Sequence, residues 1–166
     1  MHKTGIGPLK TATSTLILED AEKAELLNSY FVSVCTKDND TLLAQQDFAA
    51  DGNKLTDVSF RVQQIQRILK KQKRKTSAGP DGFPSLLFNQ LAPQLAYPLF
   101  LMYNIFMKSG NVPEIWKQAN VTPIFKKGVS SDPKNYRPIS LTCVCSKVFE
   151  SVIKTVLVQY FEERHL

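Results

Sequence analysis

Histidine and cysteine are scarce in this chain of 166 residues, which has two histidines and three cysteines. The pair Cys143-x-Cys145 has no second Cys or His pair near it, because His2 and His165 lie at the two ends. A structural zinc ion takes four ligands, so we expect no metal site and interpret these cysteines as buried apolar thiols. The same shortage weakens any proposal of a Ser-His-Asp or Cys-His nucleophile.

Long apolar runs are also lacking. No stretch approaches the roughly 18 consecutive apolar residues of a membrane helix. Residues 1–5 are followed by neither an apolar core nor a cleavage-site pattern, so no signal peptide is predicted. An odd number of cysteines without such a signal argues against a disulfide framework. We therefore expect an intracellular chain, nuclear or cytoplasmic, without membrane contact.

Positive charge is present in excess and is unevenly placed. The composition is otherwise that of a globular domain, with 43% hydrophobic and 22% charged residues, and the net charge is +6. Residues 1–60 contain five Lys/Arg against nine Asp/Glu, whereas residues 61–166 contain 16 against six. The net charges are −4 and +10, so the last two thirds of the chain are expected to meet an anionic partner.

Hydrophobic spacing predicts a mainly helical chain with one small β-hairpin, an α+β fold. Residues 1–17 are expected to be a loose lead-in, and 36–56 a polar, acidic linker. The predicted helices are, in order, one from about Glu19 to Val34, one capped by Ser59 with Val62, Ile65, Ile68 and Leu69 on its apolar face, Ser85–Leu91, one from Pro93 to Ser109 with a stripe of Leu95, Leu99, Met102 and Phe106, and one from Leu141 or Thr142 to Glu163. Pro98 should kink or restart the fourth helix, and Gly110 should end it.

A basic segment follows the second predicted helix. It consists of Lys70, Lys71, Lys73, Arg74 and Lys75, and residues 61–75 contain no acid at all. Cations favour a helix C-terminus, so a solvated basic end and a nucleic-acid contact explain the charge equally well. The next residues, Thr76 to Pro84, contain two Gly and two Pro and predict a defined turn.

A second group of cations is expected at one end of the hairpin. Residues 121–125, with Pro123, predict an edge strand, and 136–139 a partner strand beyond the polar loop 128–135. Pairing of these strands would bring Lys126 or Lys127 to the same end as Arg137. An ammonium and a guanidinium suit a polyphosphate, although side chains at such positions are usually solvated.

Metal-binding acids, by contrast, are missing from the basic region. Two-metal nucleotidyl transfer needs carboxylates around a pair of ions. Asp81 lies in a Pro-Asp-Gly turn and Asp132 precedes a proline, so both are more simply turn residues. We therefore expect neither a catalytic residue nor a metal ligand in this chain.

Three segments resemble the start of the reverse transcriptase domain of non-LTR (LINE-type) retrotransposons. They are Gly-Pro-Asp-Gly at 79–82, G-x-V-P-x-x-W-K-x-A-x-V-x-P-I-F-K-K-G at 110–128 and D-P-x-N-Y-R-P-I-S-L at 132–141. Lys147-x-x-Glu150 fits the same pattern, and residues 18–34 resemble the segment that precedes the domain. The resemblance covers about residues 58–166.

The resemblance implies a right-hand polymerase fold of which this chain holds the fingers and their N-terminal extension. Palm and thumb would be missing, with residues 1–57 as an upstream linker bearing one helix and 58–166 as the truncated fingers region. Lys126, Lys127 and Arg137 match cations that contact the nucleotide triphosphate. The residues that match template-RNA contacts are Lys70, Lys71, Lys73, Arg74, Lys75, Gly79 and Asp81.

The chain departs from that family by lacking the palm's Asp-bearing strand and Ala-Asp-Asp turn. It is therefore expected to contact template RNA, primer DNA and deoxynucleotide only as part of an intact enzyme, without catalysis alone. No cofactor is expected in this chain, since magnesium belongs to the full polymerase. Two alternatives remain open, a non-catalytic basic RNA-binding module and a degenerate retroelement product without function. The apolar stripe of the last helix predicts self-association or marginal folding.

Overall fold

The computed structural model describes residues 5–36, 55 and 58–163. Within these residues, helices predominate over two small antiparallel sheets, and the predicted α+β class is confirmed. The elements are β1 (Leu9–Lys10), β2 (Leu16–Ile17), α1 (Asp20–Val34), α2 (Val62–Lys70), α3 (Ser85–Gln90), α4 (Ala92–Ser109), β3 (Asn120–Phe125), β4 (Tyr136–Leu141) and α5 (Val144–Glu163). Short 3₁₀ helices occupy Glu114–Lys117 and Pro133–Asn135.

Two local predictions were wrong, and of the kink or restart predicted at Pro98 only the restart was wrong. The lead-in is not loose, because β1 pairs with β2, Leu9 opposite Ile17 and Lys10 opposite Leu16. Ser59 does not cap α2, which begins after Arg61 without a side-chain cap. Pro98 does not restart the fourth helix, which runs through it from Ala92 to Ser109.

The chain divides into two compact units. The hairpin unit comprises Met1–Asp47 and Val121–Ser140, and the helical unit comprises Phe48–Asn120 and Leu141–Leu166. The hairpin β3–β4 thus groups with α1 and not with the later helices. Most of the predicted linker (37–54 and 56) lies outside the described residues, as does residue 57, so the domain boundary after residue 57 stays a prediction.

The hairpin unit is built on a small core of Leu9, Leu27, Phe31 and Tyr136. Asp20 and Glu22 lie in the first turn of α1, where negative charge favours the helix dipole. Lys23 is buried, and its Nζ donates a 2.7 Å hydrogen bond to the Ile6 carbonyl while pairing with Asp20 at 2.6 Å. The lysine therefore ties the N-terminal strand region to α1.

The helical unit has a larger, aromatic core. It brings together Phe60, Ile65, Leu69, Phe88, Ala92, Ala96, Leu99, Tyr103, Val144, Val148, Phe149 and Val152. The Phe149 ring lies 5.1 Å from Tyr103 and 5.8 Å from Trp116, measured between ring centroids. Each large apolar side chain buried in this way stabilises the fold by about 1.5–3 kcal/mol.

The two long helices of this unit, α4 and α5, bury only part of the apolar stripes that the sequence predicts for them. In α4 the largest fully buried side chain is that of Tyr103, whose hydroxyl donates to the Cys145 carbonyl (2.8 Å), and Met102 is exposed. Gly110 ends α4 in the left-handed conformation, as predicted. In α5 the first half is buried, whereas Leu157 and Phe161 are exposed. None of the helices in the described part of the chain has the length and hydropathy to cross a membrane.

Candidate functional site

The basic segment (Lys70, Lys71, Lys73, Arg74 and Lys75) leaves the end of α2 and is fully on the surface. All five side chains belong to exposed residues. Of the ion pairs among the described residues, one joins Lys23 to Asp20 and the other Lys117 to Glu114. No carboxylate in that part of the chain therefore neutralises the basic segment.

The helix α3 holds the backbone of the basic segment in place. Asn89 Nδ2 donates to the carbonyls of Lys70 (2.6 Å) and Gln72 (3.1 Å). Ser85 Oγ donates to the Lys73 carbonyl at 2.6 Å and contacts that of Lys75 at 3.3 Å. These hydrogen bonds occupy backbone carbonyl oxygens, which would otherwise repel an anion. They also hold the backbone in place, so that the cationic side chains extend from a fixed main chain.

The Gly-Pro-Asp-Gly turn that follows is a tight, hydrogen-bonded turn. The Gly82 amide donates to the Gly79 carbonyl (3.1 Å), and Gly82 has a φ of +73°, which favours glycine. Asp81 Oδ1 accepts a 3.2 Å hydrogen bond from the Phe83 amide. Ala78 and Pro84 form an antiparallel bridge across the base of the turn. The predicted turn is confirmed.

Gly79 has a separate reason to be glycine. A Cβ at this position would lie 2.7 Å from the backbone carbon and oxygen of Thr142 and 2.8 Å from the Cys143 amide nitrogen. Because these are backbone atoms, they cannot move aside as a side chain end would. Gly79 is buried and lets the turn pack directly against the segment that leads into α5.

Asp81 lies close to the two cysteines that precede and begin α5. Burial, and after it the nearby Asp81 carboxylate, raises the pKa of Cys145 to about 12. Burial is also the largest cause of the raised pKa of Cys143, whose Sγ contacts the Ile115 carbonyl at 3.5 Å. Both thiols therefore stay protonated near neutral pH, which agrees with the interpretation as apolar thiols and not as nucleophiles.

The second group of cations lies on the hairpin, and one hydrogen bond sets its register. The Lys126 amide donates to the Asn135 carbonyl (2.8 Å), which makes these two residues opposite partners. Phe125 then opposes Tyr136, and their ring centroids are indeed 5.6 Å apart. Since side chains alternate between faces, Lys126 and Arg137 share a face as diagonal neighbours, typically about 7–8 Å apart.

The loop between the two strands is held by its own side chains. Gly128 has a φ of +93°, and a Cβ there would lie 2.8–2.9 Å from the Asn135 side chain. Asn135 Nδ2 donates to the Val129 carbonyl (2.9 Å), and Asp132 Oδ1 accepts from the Lys134 amide (3.0 Å). Tyr136 enters the core while its hydroxyl donates to the Ser130 carbonyl (2.7 Å). These motif residues are explained by the loop alone.

Three cations of the two motifs at 110–128 and 132–141 are not explained in this way. Lys126, Lys127 and Arg137 are exposed, and within the described residues their side chains form no ion pair or hydrogen bond. Lys127 follows the last paired residue, so it does not share the Lys126 and Arg137 face by strand alternation. Across residues 5–36 and 58–163, no group of three or more His, Cys, Asp or Glu is placed to hold a metal ion.

Sequence reasoning placed the cations but missed the groups that organise them. Asn89 and Ser85 lie 10 to 19 residues from the carbonyls that they bind, and no local pattern links the two segments. Lys147 on α5 was also missed as a neighbour of the basic segment, with which it lines a common cavity. The Lys147-x-x-Glu150 motif was the available signal, but it carries no information about that packing.

Known proteins similar to this chain are RNA-directed DNA polymerases of transposons. No protein-family model matches it. Over 108 residues it is 32% identical to the probable RNA-directed DNA polymerase from transposon BS of Drosophila melanogaster. The aligned segment covers 64% of this chain and 12% of that protein. Over 104 residues it is 28% identical to the probable RNA-directed DNA polymerase from transposon X-element of the same organism, covering 62% and 12%.

The chain spans about an eighth of the length of these relatives, and the similarity extends over nearly two thirds of its own residues. It therefore contains a region similar in sequence to part of these transposon RNA-directed DNA polymerases.

Proposed function

We propose that this chain is the fingers part, with its N-terminal extension, of a non-LTR retrotransposon reverse transcriptase, an incomplete right-hand polymerase fold without palm and thumb. The proposal depends on one observation: different residues of the motifs at 79–82, 110–128 and 132–141 have different structural roles. Residues such as Gly79, Gly128, Asp132 and Asn135 serve turns and packing, whereas Lys126, Lys127 and Arg137 are exposed and form no ion pair among the described residues. Such cations are suited to phosphate groups.

In this proposal the two groups of cations have different ligands. The basic segment contacts the backbone of template RNA, and Lys126 with Arg137 contacts the phosphates of the incoming deoxynucleotide. Lys127 is the alternative to Lys126, but the hairpin register favours Lys126. Gly79 and Asp81 contribute to the RNA contact by shaping the turn next to the basic segment.

Catalysis is not part of the proposed role of this chain alone. Nucleotidyl transfer needs metal-binding carboxylates, and these would come from the palm of the intact polymerase together with magnesium. A primer-extension assay with the isolated chain should therefore give no metal-dependent DNA synthesis. Incorporation of nucleotide by the purified chain would contradict this statement.

The test of the two ligand assignments is a crossed experiment with two triple variants that remove equal charge. One variant is Lys71→Gln, Lys73→Gln and Lys75→Gln, and the other is Lys126→Gln, Lys127→Gln and Arg137→Gln. Each is titrated with a labelled single-stranded RNA over a range of salt concentrations, and separately with a deoxynucleoside triphosphate.

We expect the first variant to lower the salt slope of RNA binding by about 2, since each phosphate contact on a single strand contributes about 0.7. The second variant should bind nucleotide roughly ten-fold more weakly, because charge-assisted hydrogen bonds are lost. Equal losses of RNA binding in both variants would overturn the separate assignments.

The second candidate is a basic module that binds RNA without any nucleotide site. The fixed backbone of the basic segment favours it, because that segment needs no second group of cations to bind RNA. RNA binding combined with no measurable nucleotide binding by the unmodified chain would support the module and remove the fingers proposal.

A further inference from the structure

The helical unit contains a cavity of about 360 Å³ whose charged side chains are all lysines. Lys71, Lys73 and Lys75 come from the basic segment, and Lys147 comes from the first turns of α5. Gly79, Ser77, Ser85 and Thr142 also line it. A volume of this size is many times that of one water molecule, about 30 Å³ in the liquid, and admits a phosphate group with part of a sugar.

The walls of this cavity are held by contacts already described. Gly79 packs on the backbone of Thr142 and Cys143, which brings the start of α5 to the turn. Ser85 holds the carbonyls of Lys73 and Lys75 on the other side. The lysines therefore surround the cavity because of backbone packing, and not because four flexible side chains happen to meet.

Among the residues that the structure describes, no acid forms an ion pair with these four lysines. The nearest acid in sequence to Lys147 on α5 is Glu150, and its Oε1 accepts a 2.7 Å hydrogen bond from the buried Ser146 hydroxyl. Neither of the ion pairs within residues 5–36 and 58–163 involves a cavity lysine. Like charges around a concave surface raise the local positive potential, and an anion that enters it is attracted by all of them.

We propose that this cavity binds a backbone phosphate of the RNA strand, with Lys147 as a binding residue that completes the site formed by the basic segment. The proposal rests on the proposed function, because it names RNA as the ligand. It deepens that function by adding a residue from a distant helix and a defined pocket. The hydroxyls of Ser77 and Thr142 supply additional donors to phosphate oxygens.

The test compares Lys147→Gln with Lys154→Gln in the full chain. Lys154 is exposed on the same helix, outside the cavity, and its substitution removes the same charge. Binding of a labelled single-stranded RNA is measured over a salt series. Loss of one phosphate contact should weaken binding about five-fold near 0.1 M salt and reduce the slope by about 0.7 for Lys147→Gln only.

Each other outcome has a definite meaning. Equal effects of the two substitutions would overturn the pocket while leaving RNA binding, and thus the proposed function, intact. Absence of RNA binding by the unmodified chain at low salt would overturn both.

A competition arm separates the two sources of a phosphate group. Pyrophosphate is compared with chloride at equal ionic strength. If an RNA phosphate occupies the pocket, millimolar pyrophosphate should displace RNA from the unmodified chain and should have no selective effect on Lys147→Gln. Binding of pyrophosphate that depends on Lys147 but leaves RNA binding unchanged would assign the pocket to a free phosphate and overturn the RNA assignment.

Discussion

The two groups of cations are held by the protein in different ways. In the hairpin unit, Arg137 lies on β4 and Lys126 directly follows β3, and the hydrogen bond from the Lys126 amide to the Asn135 carbonyl puts the two cations on one face. In the helical unit, the basic segment runs from the last residue of α2, Lys70, into an irregular loop, and side chains of α3 bind its carbonyls. Strand pairing allows little variation in the relative position of two cations. A loop held by hydrogen bonds instead places several cations in a row along an extended nucleic-acid strand.

An asparagine and a glycine recur in both places. Asn135 and Gly128 organise the hairpin loop, while Asn89 and Gly79 organise the basic segment and its turn. In each pair the amide group binds backbone carbonyls and the glycine permits a close approach. This parallel allows matched substitutions that compare how firmly each group of cations is held.

The largest effect is expected from the glycines. Gly79→Ala places a Cβ 2.7 Å from backbone atoms of Thr142, and such overpacking costs about 1–3 kcal/mol of unfolding free energy. In Gly128→Ala the new Cβ meets the Asn135 side chain, which can move aside. The loss of unfolding free energy therefore comes mainly from the positive φ at this position and is about 1–2 kcal/mol. Urea unfolding followed by Trp116 fluorescence measures the first, and circular dichroism measures both. Gly7→Ala, with open space around it, is the control.

A Gly79→Ala variant whose urea unfolding midpoint equals that of the unmodified chain would contradict this prediction. In that case the contact between the turn and the start of α5 would not be a fixed part of the helical unit, and the cavity built on it would lose its basis.

An intermediate effect is expected from the asparagines. Asn89→Ala removes hydrogen bonds to two carbonyls and one from Arg74 Nε (3.0 Å), whereas Asn135→Ala removes the bond to Val129. At about 1 kcal/mol or less for each bond, Asn89→Ala should destabilise more. It should also weaken RNA binding about two- to three-fold, because the cations lose their fixed backbone. Titration with labelled RNA measures this loss of affinity. Asn135→Ala is the control, and its RNA affinity should be unchanged.

The smallest effect separates two neighbouring lysines. Lys126→Gln should weaken binding of a deoxynucleoside triphosphate more than Lys127→Gln does, by about two- to five-fold, since only Lys126 shares the strand face of Arg137. Equilibrium dialysis with radiolabelled nucleotide measures the ratio. A larger loss in Lys127→Gln would mean that the strand register does not select the phosphate ligand.

Much of this arrangement was predictable from local patterns. The hairpin strands, the turn at 79–82, the end of α4 at Gly110 and the exposed basic segment follow from alternation, turn residues and charge. Such features depend on residues close together in the chain. Burial of Tyr103 in place of Met102 did not follow, because these neighbours on α4 differ only in which face α5 and Trp116 cover.

The cavity could not be predicted, for a related reason. It depends on Gly79 meeting the backbone of residue 142, more than 60 residues later, and on Ser85 turning back to residues 73 and 75. Neither contact leaves a periodic signal. The pairing of β1 with β2 was missed because each strand has only two residues, which is too short for alternation to be seen.

The hairpin register has a consequence for how this protein avoids unwanted strand pairing. With Lys126 opposite Asn135, Pro123 comes opposite Pro138 at a pair whose amides would point away from the hairpin. The prolines therefore cost the hairpin no internal hydrogen bond, and each removes one donor from an outer edge. A two-stranded ribbon left open on both sides would invite a third strand from another molecule, and here each edge is interrupted at its middle.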